Sequence, residues 1–258
     1  MDGTKFIMNA RILIGLRDIN KKKGKKMQEN VYVEIGTSCF DVGLENAEKG
    51  KVYLIEPRKD MLNCLPNHQN IIKCPFAILD INTFCDKKIA GEIFNNYFDS
   101  EKIHYAKFFY VSDENIKKYS LPQWAQGCCR LFEPHPTLRK MVPDEVFDQI
   151  YVPVITIMEF LSNYEISFIK YMKIDTEGGD ADILYDLYYG INYHVLKVDT
   201  IVFEWNSLTD NKKMENIVNK YLLYGYTFSR LDSDNAILKI TGREDEHSIV
   251  YPEQMGLW

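Results

Sequence analysis

Short apolar runs of this 258-residue chain keep stopping at a carboxylate. Val31–Ile35 carries Glu34 and turns at Gly36, Lys51–Ile55 stops at Glu56, Phe168–Ile174 at Asp175, and Thr200–Phe203 at Glu204. A run of about five residues without polar alternation suits a strand covered on both faces, the condition of a parallel sheet between helix layers. A fifth apolar run, Ile71–Cys74, lies between helical pieces closed by Gly50 and Pro66 and the segment Pro75-Phe76-Ala77-Ile78. Strand, helix, strand at this spacing predicts βαβ units, hence an α/β fold around a mostly parallel central sheet. In such a sheet the ligand sits outside the carboxyl ends of the strands, where these acids fall.

The pattern organises the chain into a lead-in, residues 1–30, and a single domain over residues 31–258. The lead-in has an amphipathic piece at Ile12–Leu16 and a lysine run over residues 21–26, read as a solvated linker. In the middle, Ile89, Ile93, Phe94 and Tyr97 recur at helical spacing and Lys107–Val111 reads as a strand. Residues 120–143 are rich in Pro, Gly and Cys, so 99–150 is expected to be an irregular insertion that binds the acceptor. Tyr151–Ile155 is a further strand, followed by Thr156-Ile157-Met158-Glu159, a capping box. Ile183, Leu184, Leu187 and Tyr188 mark one helix. Met214, Ile217, Val218, Tyr221 and Leu222 mark another. Tyr226–Arg230 and Ala236–Ile240 flank Asp232-Ser233-Asp234-Asn235, which predicts a C-terminal antiparallel hairpin.

Charge narrows the partners. The net charge of -6 argues against a phosphate backbone as the main partner, so no nucleic acid is expected. No stretch reaches the roughly 20 apolar residues of a membrane span, and no signal-peptide pattern opens the chain. A cytoplasmic protein without a membrane partner is therefore expected. The six cysteines, at 39, 64, 74, 85, 128 and 129, show no metal-finger spacing and read as reduced thiols. Nothing in the sequence sets an oligomeric state.

Carboxylates gathered on one sheet edge need polar or cationic partners, because unpaired buried charge is costly. S-adenosylmethionine supplies a ribose diol, an ammonium and a sulfonium. In Glu34-Ile35-Gly36-Thr37-Ser38-Cys39-Phe40-Asp41, Gly36 permits a sharp turn, while Glu34 and Asp41 could orient the loop or meet the amino-acid end of the cofactor. Glu56, about twenty residues on, suits the two ribose hydroxyls. In Lys173-Ile174-Asp175-Thr176-Glu177-Gly178-Gly179-Asp180, Asp175 is expected beside the methyl-transfer centre and Asp180 as a helix cap. A dinucleotide fingerprint is missing, which disfavours a nicotinamide dehydrogenase.

These pieces resemble the FkbM-type S-adenosylmethionine-dependent methyltransferases. The match rests on Glu34-Ile35-Gly36-Thr37-Ser38, Ile55-Glu56-Pro57, Val154-Ile155-Thr156, Lys173-Ile174-Asp175-Thr176-Glu177-Gly178 and Asp199-Thr200-Ile201-Val202-Phe203-Glu204, in that order. The resemblance implies a Rossmann-like class I sheet and O-methylation, often of sugar or polyketide hydroxyls. It implies cofactor contacts at Glu34, Gly36 and Glu56 and around Ala77 and Ile78, with Thr37 and Ser38 in the first loop. Phe40 departs from the pattern, standing where many class I enzymes have a second glycine, and Cys39 where relatives often have an acid.

An alcohol acceptor gains from a general base. His135, between Pro134 and Pro136, is the first candidate, with Asp175, Asp113 and His104 as rivals. Asp175, Glu177 and Glu204 could also assemble oxygen ligands for Mg²⁺, although no metal is expected. The leading expectation is methyl transfer to a hydroxyl of a sugar or glycan. The alternatives are RNA ribose methylation, through a Lys173/Asp175/Glu204 set, and an inactive binding module on the same fold.

Overall fold

The computed structural model describes residues 29–36, 40–98 and 101–241. The Ile12–Leu16 segment, the lysine run, Thr37, Ser38 and Cys39 lie outside the described residues. The first half holds strands β1 (Val31–Ile35), β2 (Lys51–Ile55), β3 (Ile71–Cys74), β4 (Ala77–Leu79), β5 (Ile93–Phe98) and β6 (Glu101–Tyr110). With them come helices α1 (Asp41–Asn46), α2 (Lys59–Cys64), α3 (Ile81–Ile89) and α4 (Asp113–Lys118). The second half holds β7 (Arg130–Leu131), α5 (Pro136–Arg139), β8 (Asp148–Thr156), α6 (Ile157–Asn163), β9 (Phe168–Ile169) and β10 (Tyr171–Ile174). It ends with α7 (Asp180–Asn192), β11 (Lys197–Val198), β12 (Thr200–Glu204), α8 (Asn211–Leu223), β13 (Tyr226–Arg230) and β14 (Asn235–Ile240).

Seven strands form the main sheet in the order β13-β14-β12-β10-β1-β2-β3. The pairs from β3 through β12 are parallel, whereas β12–β14 and β14–β13 are antiparallel, so the sheet is mixed. Side-chain alternation sends Val33, Ile35, Tyr53 and Ile55 to one face, where they pack with α6, α7 and α8. Tyr32, Val52 and Leu54 go to the other face, under Phe40 and Leu62. Both faces being covered is the physical meaning of the unbroken apolar runs.

Local signals held where the structure is local. Thr156 accepts from the Glu159 N–H while Glu159 reaches back to Thr156, the expected reciprocal cap. On α8, Met214, Ile217, Val218 and Tyr221 are buried, but Leu222 is 42% exposed and falls off the stripe.

The middle of the chain departs from expectation. Ile89 ends α3, and Ile93, Phe94 and Tyr97 lie on strand β5 rather than a helix. Residues 93–98 pair antiparallel with β6, and β6 pairs with β8. With β4 and β7 they make a second sheet, ordered β4-β8-β6-β5 with β7 alongside β6. Within the stretch expected to be irregular, residues 101–110 are strand β6 and residues 148–150 open strand β8. Tyr151–Ile155, read as a strand, lies in β8 and belongs to this second sheet. Residues 111–147 carry a small core of their own, including Val111, Ile116, Ala125, Leu138 and Val146. The run Phe168–Ile174 also splits at Lys170, because β9 pairs with β11 and β10 joins the main sheet.

Candidate functional site

Register builds the site. Ile35, Ile55, Cys74 and Ile174 lie in one row across β1, β2, β3 and β10, and Ile174 is level with Phe203 of β12. The next residues along four of these strands are Gly36, Glu56, Asp175 and Glu204. Backbone bonds carry the row one step further: Gly36 N–H donates to Ile55 at 2.9 Å, Glu56 N–H to Cys74 at 3.1 Å and Asp175 N–H to Ile35 at 3.0 Å. Parallel pairing therefore turns acids far apart in sequence into neighbours.

Gly36 is fixed by shape. Its φ is +77°, and a Cβ there would lie 2.0 Å from the Asp175 carbonyl oxygen. Only glycine lets β1 end this close to β10. Phe40 takes φ 54°, the left-handed conformation usually left to glycine, and its ring is fully buried with Val52, Leu54 and Leu62. Burial of the ring offsets the backbone strain of about 1–2 kcal/mol, so the loop turns at Phe40 without a second glycine.

Asp180 staples the other side. Sequence suggested a helix cap, but Gly179 occupies that position. Asp180 is 1% exposed; its Oδ2 accepts from the Thr176 N–H at 3.1 Å and hydroxyl at 2.7 Å, and its Oδ1 from the Glu204 N–H at 3.0 Å. One carboxylate thus ties the end of β10 to the end of β12.

That tie gathers acids. Asp175, Glu177 and Glu204 each present a carboxylate oxygen, all within 4.8 Å of one another. Burial, with Asp180 and Glu177 nearby, raises the Asp175 pKa to about 7, against the pull of Lys173. Burial and the neighbouring acids, Asp175 foremost, raise Glu204 to about 9. Glu204 Oε1 accepts from Asn206 at 3.1 Å, while its Oε2 is buried without a hydrogen-bond partner. The three oxygens could close on a divalent cation or face a cationic ligand. Glu56, 7% exposed, is raised to about 7 by burial, against the Arg58 N–H and guanidinium.

Of these groups Glu56, Asp175 and Glu177 open on a cavity of about 460 Å³, within the roughly 300–1,000 Å³ of small-molecule sites. Gly36, Glu56, Pro57, Asp175 and Thr176 form one wall, and Phe76, Ala77, Ile78 and Leu79 another. Phe108 and the segment Cys129–Glu133 close it from the second sheet. Seven carboxylates and two basic side chains line it. The two cations are neutralised locally: Lys87 bonds Glu92 at 2.9 Å, and Arg130 lies 3.4 Å from Glu133.

Of the expected residues, Gly36, Glu56, Ala77, Ile78 and Asp175 meet at this cavity. Glu34 lies beneath it, 2% exposed, its Oε2 accepting from the Gly43 N–H at 2.8 Å and pinning α1 to β1. Asp41 is exposed on the first turn of α1 and does not line the cavity. His135 is buried behind the lining: Nδ1 accepts from the Leu138 N–H at 3.3 Å and Nε2 is 3.2 Å from Glu177 Oε2. With Nδ1 taken as an acceptor, the neutral ring carries its proton on Nε2 and donates it to Glu177. The rival bases are elsewhere. His104 packs edge-on against Phe84, and Asp113 accepts from Gln126. Sequence reasoning missed Asp180 as a staple and Arg58 as a buried cation. An acid two residues beyond Gly178 signals only a cap, and an arginine after Glu-Pro signals only a surface helix. The five described cysteines are free, and burial pushes the thiol of Cys129, at the cavity wall, up to about 12.

An α/β chain whose acidic cavity opens at the carboxyl ends of parallel strands has the form of a methyltransferase domain. Comparison with known families makes this particular: residues 30–228 match the methyltransferase FkbM domain, and the chain belongs to that family. No curated protein and no solved structure gives a significant match. Among the described residues, no helix is long and apolar enough to cross a membrane.

Proposed function

We propose that this chain is an S-adenosylmethionine-dependent O-methyltransferase with a Rossmann-like class I sheet, acting on a hydroxyl of a sugar or glycan. The observation that carries the reading is the row Gly36, Glu56, Asp175 opening on one cavity rich in carboxylates. The donor set fits the cofactor. Gly36 admits a close backbone approach, Glu56 offers a buried acceptor to a diol, Ala77 and Ile78 offer an apolar wall to a flat ring, and the acids suit positive charge. When bound, S-adenosylmethionine supplies an electrophilic methyl group on a sulfonium.

The chain's own groups do the rest. The cavity holds the acceptor oxygen in line, and such positioning is worth about 7–11 kcal/mol. Asp175, with a pKa of about 7, is partly ionised near neutrality and accepts the hydroxyl proton as the new C–O bond forms. Glu177 keeps the rim negative, and the buried His135 N–H holds it in place. His135, the first candidate from sequence, is thereby assigned to positioning. The surplus of acids around the cavity favours neutral polyols and weighs against an RNA backbone.

Calorimetry with S-adenosylmethionine and its demethylated product tests the cofactor. Both are expected to bind, and Glu56→Gln is expected to weaken both by about 10-fold or more, the worth of hydrogen bonds to a charged acceptor. Failure of the wild-type chain to bind either would refute the reading. Turnover against a panel of neutral sugars then separates the bases: Asp175→Asn is expected to abolish it while retaining the product complex, and His135→Gln to reduce it partially.

A further inference from the structure

Among the described residues, Arg58 is the one lysine or arginine that is buried, its side chain 8% exposed. Its Nε and Nη2 fork onto Asp60 at 3.3 and 2.5 Å, and its guanidinium carbon lies 4.6 Å from the centre of the Tyr110 ring. Its backbone N–H donates to Glu56 Oε1 at 2.8 Å. The thiol of Cys129, in the cavity wall, also lies against it. Nη1 is buried and has no hydrogen-bond partner.

The Asp60 pair alone does not account for this burial. Asp60 is 66% exposed, and an exposed ion pair contributes roughly 0–1 kcal/mol, while taking a guanidinium out of water costs more. What the buried position provides is closeness to two other things. One is the Glu56 carboxylate, which has to stay ionised to accept two hydroxyl donors. The other is Tyr110, the last residue of β6, where the second sheet hands over to the segment bearing the cavity wall. The titratable groups facing Glu56 are Arg58 and Asp60 on its own loop and Cys129 across the cavity. Arg58 is the only cation among them.

We infer that Arg58 is a positioning residue: seated on Tyr110 and keyed to Asp60, it holds the Glu56 carboxylate charged and in place for the cofactor ribose, and joins that carboxylate to the acceptor wall. The inference rests on Glu56 being the ribose ligand. A structural strut would affect affinity equally at every pH; a charge acting on Glu56 shifts where affinity depends on pH.

The experiment uses the full chain with ¹³C-labelled glutamate, the Glu56 carboxyl signal being assigned with Glu56→Gln. Its titration is followed in wild type, Arg58→Gln, Arg58→Lys and Tyr110→Leu, alongside calorimetry with the demethylated cofactor from pH 6 to 9. In Arg58→Gln the Glu56 midpoint is expected to climb by about one pH unit, with affinity about fivefold weaker at neutral pH and recovering in alkali. Arg58→Lys, which keeps the charge, should hold the midpoint near that of wild type. Tyr110→Leu loosens the seat without removing the cation and should move the midpoint upward by less, so it serves if Arg58→Gln does not fold. A midpoint unmoved in Arg58→Gln or Tyr110→Leu overturns the inference, whatever happens to affinity. The carboxyl titration needs no ligand, so a wild-type chain that binds no cofactor sinks the ribose reading separately from the Arg58–Glu56 coupling.

Discussion

Replacing Asp180 with alanine tests whether the two strand ends at the site are held by one side chain. The substitution removes an acceptor that is 1% exposed and serves three donors, two of them backbone N–H groups, of Thr176 and Glu204. A buried donor left without a partner costs about 1–3 kcal/mol, and the Thr176 hydroxyl can rotate to another acceptor, so the gross loss is about 2–6 kcal/mol. Relief of the buried carboxylate offsets part of it, because desolvation raises its pKa. The expected net loss is about 2–4 kcal/mol, a large share of the roughly 5–15 kcal/mol that holds a domain folded. Urea denaturation reads this as a lower midpoint at unchanged slope. Asp180→Asn keeps the shape but sets an amide donor against one of the N–H groups, so it should lie between alanine and wild type. Loosening the β10 and β12 ends should also weaken binding of the demethylated cofactor more than Asp41→Ala, on the exposed turn, does. A loss below about 1 kcal/mol in Asp180→Ala, with cofactor affinity unchanged, would refute the staple.

Three further outcomes follow from the same geometry. Gly36→Ala places a methyl group 2.0 Å from the Asp175 carbonyl in a backbone with φ +77°, so calorimetry should show at least about a tenfold loss of cofactor affinity. Glu56, Asp175 and Glu204 have folded-state pKa values of about 7, 7 and 9, above the values near 4 of an unfolded chain, so the folded chain holds more protons. Stability measured by urea should therefore fall as pH rises from about 5 to 9, and Asp175→Asn/Glu204→Gln should flatten that slope; a rising slope would contradict the assignment. Phe40→Gly relieves the strain at φ 54° but empties a buried ring site, a net destabilisation of about 2–4 kcal/mol by denaturation; a gain in stability would show that strain outweighs burial.

How far the sequence reached depends on the range of each interaction. The cap at Thr156 and Glu159 and the apolar face of α8 were legible because their partners lie three or four residues apart. Ile93, Phe94 and Tyr97 misled because three apolar residues in five positions suit a helix turn and a strand alike. Only the antiparallel pairing of residues 93–98 with β6 decides between them. Glu34 was grouped with the strand-end acids, yet it lies inside β1, two residues before Gly36, and its carboxylate is taken up by the Gly43 N–H of α1, while Gly36 reaches the cavity.

The amino-acid order by itself determined that several strands are covered on both faces and that acids stand at their carboxyl ends, since hydrophobic period and chain direction are local properties. The tertiary structure alone decided which of those acids share a cavity, that β4, β5, β6, β7 and β8 build a second sheet whose residues help to line it, and that Arg58, Asp180 and His135 lie buried around it. Those choices turn on strand register and on contacts between residues more than a hundred positions apart, where no period in the sequence points from one partner to the other.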